Sequence, residues 1–322
     1  MKSLLLAAAV ALIATASNAA NLTLYTSQPN ADAQKTVDAF MAANPGVKVD
    51  WVRDGTTKLM ARLRAEIKAG NPQPDVLLIA DTVTLEGMAQ DGLLQAHKSP
   101  EAKSFDPALY SADGYYHSTK LITTGIVYNT GAAAKPGAWS DLADTSLKGQ
   151  IAMPSPLYSG AALIHLATLT SDKGLGWDYY NQLAANKARA KGGNGGTFKA
   201  VASGEKPYGV VVDFLAIRNK AKGSPVEFVF PSAGVSYVTE PVAIMKSAKN
   251  VEAAKKFVDF VLSQKGQDLV LEMGYIPARD GMGVPAGFPA REKIKLMAFD
   301  PAMALKNAEA NKAKFSKVFG TE

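Results

Sequence analysis

The sequence predicts an α/β fold of two lobes, and three observations carry that expectation. Strand-like and helix-like segments alternate through the first hundred residues after the leader. The alternation then breaks off and starts again after about residue 121. Loops of hydroxyl and glycine residues follow several of the strands. Alternation of this kind argues for parallel layering, because helices supply the crossovers that parallel strands need.

The elements follow in order. Residues 1–19 read as a secretory leader: Lys2 precedes an apolar run from Leu4 to Ala16, and Ser17-Asn18-Ala19 offers small residues for cleavage. The run is shorter than the ~20 residues that span a bilayer. The absence of any cysteine leaves no lipid anchor and no disulfide framework. A strand over Leu22 to Thr26 comes next, then a helix with Val37, Phe40 and Met41 on one face, stopped by Asn44-Pro45-Gly46. Val47 to Val52 alternates as a strand, Asp54-Gly55-Thr56-Thr57 opens a helix to about Lys68, and Val76 to Ala80 forms a third strand ending at Asp81-Thr82.

After the reset, Leu121 to Tyr128 reads as a strand, followed by the Gly/Ala/Pro stretch Gly131 to Gly137. Strand Ile151 to Met153, loop Pro154 to Gly160 and a helix from Ala161 follow, then a helix through Trp177 and Tyr180. Lys191 to Thr197 reads as a glycine-rich loop, and Tyr208 to Val212 as a strand ending at Asp213. Further strands are expected at Val226 to Phe230 and Val242 to Met245, with helices at Val251 to Leu262 and Gly266 to Met273 and a helical C-terminal region.

Catalytic chemistry is hard to assemble from this inventory. No Gly-x-Ser-x-Gly elbow and no phosphate loop ending in Gly-Lys-Ser/Thr occurs. The histidines, His97, His117 and His165, lie in no metal-binding spacing; His165 reads as a core residue and His97 as a surface one. The formal charge of +6 is scattered, without the basic-aromatic alternation that a nucleic-acid groove requires. A binding protein is therefore expected rather than an enzyme, with no cofactor, no metal, no nucleic-acid partner, no membrane insertion and no stable oligomer.

In open α/β sheets ligands sit beyond the carboxyl ends of the strands. The loops at those ends are Ser27-Gln28, Gly55-Thr56-Thr57, Asp81-Thr82, Ser155 to Ala161 and Gly195-Gly196-Thr197. Taken singly, their hydroxyls have a capping role. Aimed at one cleft they would form an anion site, with helix N–H groups and the positive end of the helix dipole converging. Asp81 and Asp213 end predicted strands, and Glu240 lies near the return crossing. Asp213 is the better candidate for meeting a positive group, whereas Asp81 is as consistent with a helix cap. Tyr25, Tyr128, Tyr158 and Tyr237 flank the same loops.

Several segments resemble the extracytoplasmic solute-binding proteins of the ferric-iron-transporter type. These are Leu24-Tyr25-Thr26-Ser27, Ala61 to Glu66 (Ala-Arg-Leu-Arg-Ala-Glu), Asn71 to Val76 (Asn-Pro-Gln-Pro-Asp-Val), Pro154-Ser155-Pro156 with Ser159-Gly160, Gly204-Glu205 before a Gly-Val strand, and Pro231 followed by Gly234. The resemblance implies the type II periplasmic binding protein fold, two α/β domains joined by a two-stranded hinge. The corresponding division is residues 20–122 plus 238–322 for one lobe and 123–237 for the other. It also implies a periplasmic protein that closes on a ligand and hands it to an ABC permease driven by an ATPase subunit.

The iron-binding members hold the metal with two adjacent tyrosines where this chain reads Val211-Val212-Asp213-Phe214. Without that pair, ferric iron is the runner-up. The chain looks most similar to the 2-aminoethylphosphonate binders, with phosphate esters and thiamine as alternatives and an exported phosphoester hydrolase further off. On this resemblance Ser27, Thr56, Thr57, Ser155, Ser159, Gly160 and Thr197 would hold the phosphonate. Gln28, Thr82, Tyr158, Ala161, Gly196 and Tyr237 would complete the site, and Asp213, helped by Asp81 or a tyrosine, would meet the amine.

Overall fold

A computed structural model describes residues 20–320; the expected leader lies outside the described residues. The first half runs β1 (Ala20–Thr26), α1 (Asn30–Ala43), β2 (Val47–Arg53), α2 (Thr56–Lys68), β3 (Val76–Leu78), α3 (Thr82–Gln90), β4 (Leu94–Gln95) and β5 (Tyr116–His117). The second runs β6 (Lys120–Asn129), β7 (Ile151–Met153), α4 (Gly160–Ser171), α5 (Gly176–Ala185), β8 (Arg189–Ala190), α6 (Asn194–Ala202), β9 (Tyr208–Val212), α7 (Asp213–Lys220), β10 (Val226–Val229) and β11 (Ser236–Val238). The chain ends with β12 (Val242–Met245), α8 (Val251–Leu262), α9 (Gln264–Glu272), β13 (Ile276–Pro277) and α10 (Pro301–Phe319).

Two sheets result. The first is ordered β2-β1-β3-β12-β4, with β5 also on β12; the second is β10-β6-β9-β7-β8, with β11 and β13 also on β6. β1 is parallel to β2 and β3, and β7 to β8 and β9, as the alternation predicts. β6 and β12 are the antiparallel exceptions. Each is a strand that enters its sheet from the other half of the molecule.

The patterning explains what is buried. Val37 and Phe40 turn inward from α1, and Phe257 of α8 meets Phe40 edge-on with ring centroids 5.0 Å apart. This apolar contact anchors the first core. α4 is buried on nearly every side. It lies between the second sheet's β11 and the C-terminal α10, so its sequence is apolar all round. Tyr179 and Tyr180 are packed in α5, as their helical context predicts. Among the described residues, no helix is long and apolar enough to cross a membrane.

The chain passes between the sheets at Ser118–Lys120 and again at Thr239–Pro241, a few residues outside the expected points near Thr123 and Tyr237. The shift has a simple cause. β11 pairs with β6 as far as Val238 on Ile122, so the backbone turns only where that ladder stops. The two passages lie side by side: Thr239 O accepts from Thr119 N at 3.1 Å and from Lys120 N at 3.2 Å. A third passage follows β13. Val235 bridges to Leu296, and α10 packs on α4 and α3 together.

Three further differences are local. The stretch Lys191 to Thr197 is not all loop, because Asn194 begins α6 and places Gly195, Gly196 and Thr197 in its first turn. His97 is not a free surface residue; its Nε2 lies 2.7 Å from Asp259 Oδ1. His165 is the core residue expected, 2.8 Å from Ser236 Oγ, and burial pulls its pKa down to about 3.

Candidate functional site

A cavity of about 370 Å³ lies between the two sheets, in front of the paired crossings. That volume falls within the roughly 300–1,000 Å³ of small-molecule sites. Helix starts supply much of its lining: Thr56 of α2, Gly160 and Ala161 of α4, and Asn194, Gly195 and Gly196 of α6. A helix start leaves backbone N–H groups without intrahelical partners. The residues capping α2 and α6 are Gly55 and Gly193, neither of which offers a side chain. α4 is capped by the neutral Ser159 hydroxyl, which accepts from Ala162 N at 3.3 Å. No carboxylate caps any of the three, though Asp54 ahead of α2 accepts from Gly55 N at 2.8 Å and pairs with Lys58 at 3.0 Å.

Two glycines make this convergence possible. A Cβ on Gly160 would lie 2.6 Å from Ala80 O, and one on Gly55 would lie 2.3 Å from Tyr158 O. Only a bare backbone lets α2, α4 and the end of β3 approach this closely. Thr57 N then donates to Tyr158 O at 3.2 Å, and Thr57 Oγ1 to Pro156 O at 3.0 Å. These bonds join the two halves across the cavity's edge.

Arg53, the last residue of β2, stands at this rim. Its Nε donates to Gln28 O at 2.9 Å and its Nη1 reaches Tyr158 Oη at 3.4 Å. Among the described residues it pairs with no carboxylate. Its charge is fixed in place without being neutralised.

The rear of the cavity is different. Ile122, Val212, Phe214, Leu215 and Val238 make an apolar wall, and Glu240 is the only carboxylate in the lining. Glu240 sits at the crossing with a left-handed φ of 39°. Its Oε2 lies 2.5 Å from Lys120 Nζ and 3.4 Å from Gln28 Nε2. Burial pushes its pKa up, against the pull of the Lys120 ammonium. Beside this pair Arg218 of α7 grips Asp32 of α1 at 3.1 Å, and Tyr275 Oη donates to the same carboxylate at 2.5 Å.

The structure gathers Ser27, Thr56, Tyr158, Ser159, Gly160, Ala161 and Gly196 around this cavity, and it places the other predicted residues elsewhere. Asp213 is the main correction. Its Oδ2 accepts from Thr123 N and Oγ1, both at 2.8 Å, and its Oδ1 from Phe214 N at 2.6 Å. It thus ties β6 to the start of α7 and does not face the cavity; burial raises its pKa to about 7. Asp81 is likewise spent as the cap of α3, accepting from Thr84 N at 3.1 Å, with burial raising its pKa.

Gln28 is buried against Glu240 rather than open to the cavity. Thr57 is the edge latch described above. Ser155 is buried, its Oγ accepting from Leu157 N at 3.2 Å, and Thr197 is buried within α6. Thr82 and Tyr237 line a second cavity behind the crossings. Tyr25 is buried with its hydroxyl on Glu66, 2.7 Å away.

Arg53, Asn194, Phe214 and Leu215 are among the lining residues that the sequence reading missed. Arg53 carried a usable signal, a lone base at the last position of a strand. Asn194 sits inside the conspicuous run Gly192-Gly193-Asn194-Gly195-Gly196. Its Nδ2 donates to Ser159 Oγ at 3.2 Å and its Oδ1 accepts from Val212 N at 3.1 Å, so it locks α6 to α4 and β9.

Comparison with known proteins bears on this geometry. A family described as bacterial extracellular solute-binding protein matches residues 35–295. An uncharacterized protein of Haemophilus influenzae is 30% identical over 84% of this chain and 81% of its own. Iron uptake protein A1 of Synechocystis is 27% identical over 74% of this chain and 70% of its own. A putative 2-aminoethylphosphonate-binding periplasmic protein of Salmonella typhimurium is 25% identical over 76% of this chain and 74% of its own. Among solved structures, the periplasmic binding protein AfuA of Actinobacillus pleuropneumoniae, with exogenous fructose-6-phosphate bound, superposes with a TM-score of 0.85. It is 24% identical, and the match covers 94% of this chain and 99% of that one.

Proposed function

The chain belongs to the bacterial extracellular solute-binding protein family, and from that premise we propose that it captures a small organic phosphate or phosphonate between its lobes. The family role is extracytoplasmic capture and delivery to an ABC permease, and the fold is that of the type II periplasmic binding proteins. The observation that carries the ligand class is the convergence of three helix starts, none capped by a carboxylate, beside Arg53, which has no carboxylate partner among the described residues. Such an arrangement offers oriented N–H donors and positive potential to one oxyanion.

The proposed moving units are residues 20–122 plus 238–322 and residues 123–237, bending at the Lys120–Glu240 crossing. Opening would separate the N-terminus of α2 from that of α4, which the bonds from Thr57 to Tyr158 and Pro156 hold together here. Export by a cleaved leader over residues 1–19 belongs to the same proposal.

Two relatives point to different ligands by name, iron and 2-aminoethylphosphonate. Ferric iron calls for several anionic oxygen donors. The lining offers one carboxylate, already paired with Lys120, and one phenol, Tyr158. Among the described residues no group of three or more His, Asp or Glu converges. For 2-aminoethylphosphonate the lining offers one acid that could meet the amine, Glu240, and Lys120 already holds it.

Isothermal titration of the ligand-stripped protein tests the reading. Organic phosphates and phosphonates should give saturable, stoichiometric heat, and should raise the melting temperature by binding only the folded state. Tight binding of ferric citrate with no response to any phosphate or phosphonate would sink it.

A further inference from the structure

We infer that the solute carries an apolar, preferably aromatic, body behind its phosphate or phosphonate group, rather than a sugar or an aminoalkyl chain. This rests on the oxyanion reading above and concerns the rest of the same cavity. A tetrahedral oxyanion occupies only a few water volumes of about 30 Å³ each, a fraction of the roughly 370 Å³ present. Away from the helix starts the lining holds Pro29, Ile122, Val212, Phe214, Leu215 and Val238, with Glu240 beside them.

These residues come from β6, β9, β11 and the starts of α1 and α7, so the wall is set on packed elements. Phe214 is held against Tyr275, with ring centroids 4.4 Å apart. Two polar groups that could serve a sugar are already drawn into the protein's own bonds. Ser27 Oγ accepts from Ala80 N at 2.9 Å, and Asn194 uses both ends of its amide on Ser159 and Val212. Sugar hydroxyls pressed against the apolar wall would lose water without replacement partners there, a penalty that apolar contact does not repay.

An ammonium fares no better. Glu240 is the one carboxylate in reach, and its Oε2 is held by Lys120 at 2.5 Å. A second cation there would meet the Lys120 charge in a buried setting. Apolar surface alone matches what the wall offers.

Titration calorimetry separates the cases. The ligand-stripped protein is titrated with phenyl phosphate, glucose 6-phosphate, 2-aminoethylphosphonate and inorganic phosphate. Phenyl phosphate should bind at least tenfold tighter than each of the others. Leu215→Asn should weaken phenyl phosphate about tenfold while leaving inorganic phosphate within twofold. Val238→Thr, close to isosteric, should move the same ratio in the same direction and guards against a folding defect.

Tightest binding by glucose 6-phosphate, 2-aminoethylphosphonate or inorganic phosphate would overturn the apolar body and leave the oxyanion reading standing. Equal loss for phenyl phosphate and inorganic phosphate in both variants would overturn it as well. Silence from every probe, inorganic phosphate included, would remove the oxyanion reading and this inference together.

Discussion

Two cavities open on opposite sides of the crossing strands, and Val238 lines both. The rear one is larger, about 680 Å³ against 370 Å³. Its helix starts and acids are nevertheless spoken for, and its one arginine, Arg291, donates to Pro277 O at 3.3 Å. The helices starting there, α3 and α10, are capped by their own carboxylates, Asp81 and Asp300. Asp106 caps Ala108 N at 2.9 Å, and Glu86 accepts from Tyr116 Oη at 2.8 Å. In front, glycine and serine take the capping positions, and Arg53 has no carboxylate partner among the described residues. The lesson is that size does not mark an anion site. What marks it is several helix starts left without carboxylate caps and aimed, with Arg53, at one space.

The sharpest break of this comparison is at the strand dividing the two cavities. Lys120→Met removes the ammonium from a pair whose side chains are almost fully buried. Removing one partner of a buried pair costs about 3–5 kcal/mol, since Glu240 is left uncompensated. Urea unfolding should show that loss. A change under about 1 kcal/mol would mean that the crossing is not held by this pair.

Next in size is the front rim. Arg53→Met should weaken binding of organic phosphates about 10- to 100-fold, the range for a charge-assisted hydrogen bond of roughly 1.5–3 kcal/mol. Melting of the ligand-free protein should barely move. If calorimetry found the affinity intact, the front cavity would lose its claim to a directed positive charge.

A pH test probes α4, whose start lines the front cavity and whose Ile164 lines the rear one. His165 on the same helix has its pKa lowered from 6.5 to about 3 by burial. The unfolded chain therefore binds this proton first, and stability present above pH 6.5 drains away as pH falls toward 3. Between pH 6.5 and 5 the native protein should lose up to about 2 kcal/mol more than His165→Gln, at roughly 1.4 kcal/mol per unit. Parallel curves for the two proteins would show that the histidine is not held neutral.

The smallest effect belongs to the rear. Glu86→Gln keeps an acceptor for Tyr116 and removes one charge from the larger cavity. Affinity for phosphates should stay within about twofold, as for surface changes remote from the site. A tenfold change would erase the distinction between the two sides.

Much of the fold was legible because it is local. β7, β9, β12 and α8 begin and end where periodicity and flanking residues put them. The two-residue strands β4, β5, β8 and β13 went unread, since pairs of residues carry no periodic signal. The site was legible in half. Gly55, Thr56, Ser159 and Gly160 stand out as a small-residue pattern at strand ends. The charged residues were not separable by sequence, because each lies next to a strand end.

By itself the sequence determined the α/β alternation, the reset that makes two sheets, and the bare or hydroxyl-bearing starts of α2, α4 and α6. Tertiary structure alone decided which carboxylate faces inward and which cation stays unpaired. Asp213 meets Thr123 and Phe214, so its oxygens are filled by β6 and the first turn of α7. Glu240 meets Lys120 from the neighbouring crossing, and Arg53 meets carbonyls and a phenol instead of an acid. A side chain's local pattern sets its element and its face. Its electrostatic role depends on which distant group packing brings within a few ångströms, and that distance is not encoded in any short window of residues.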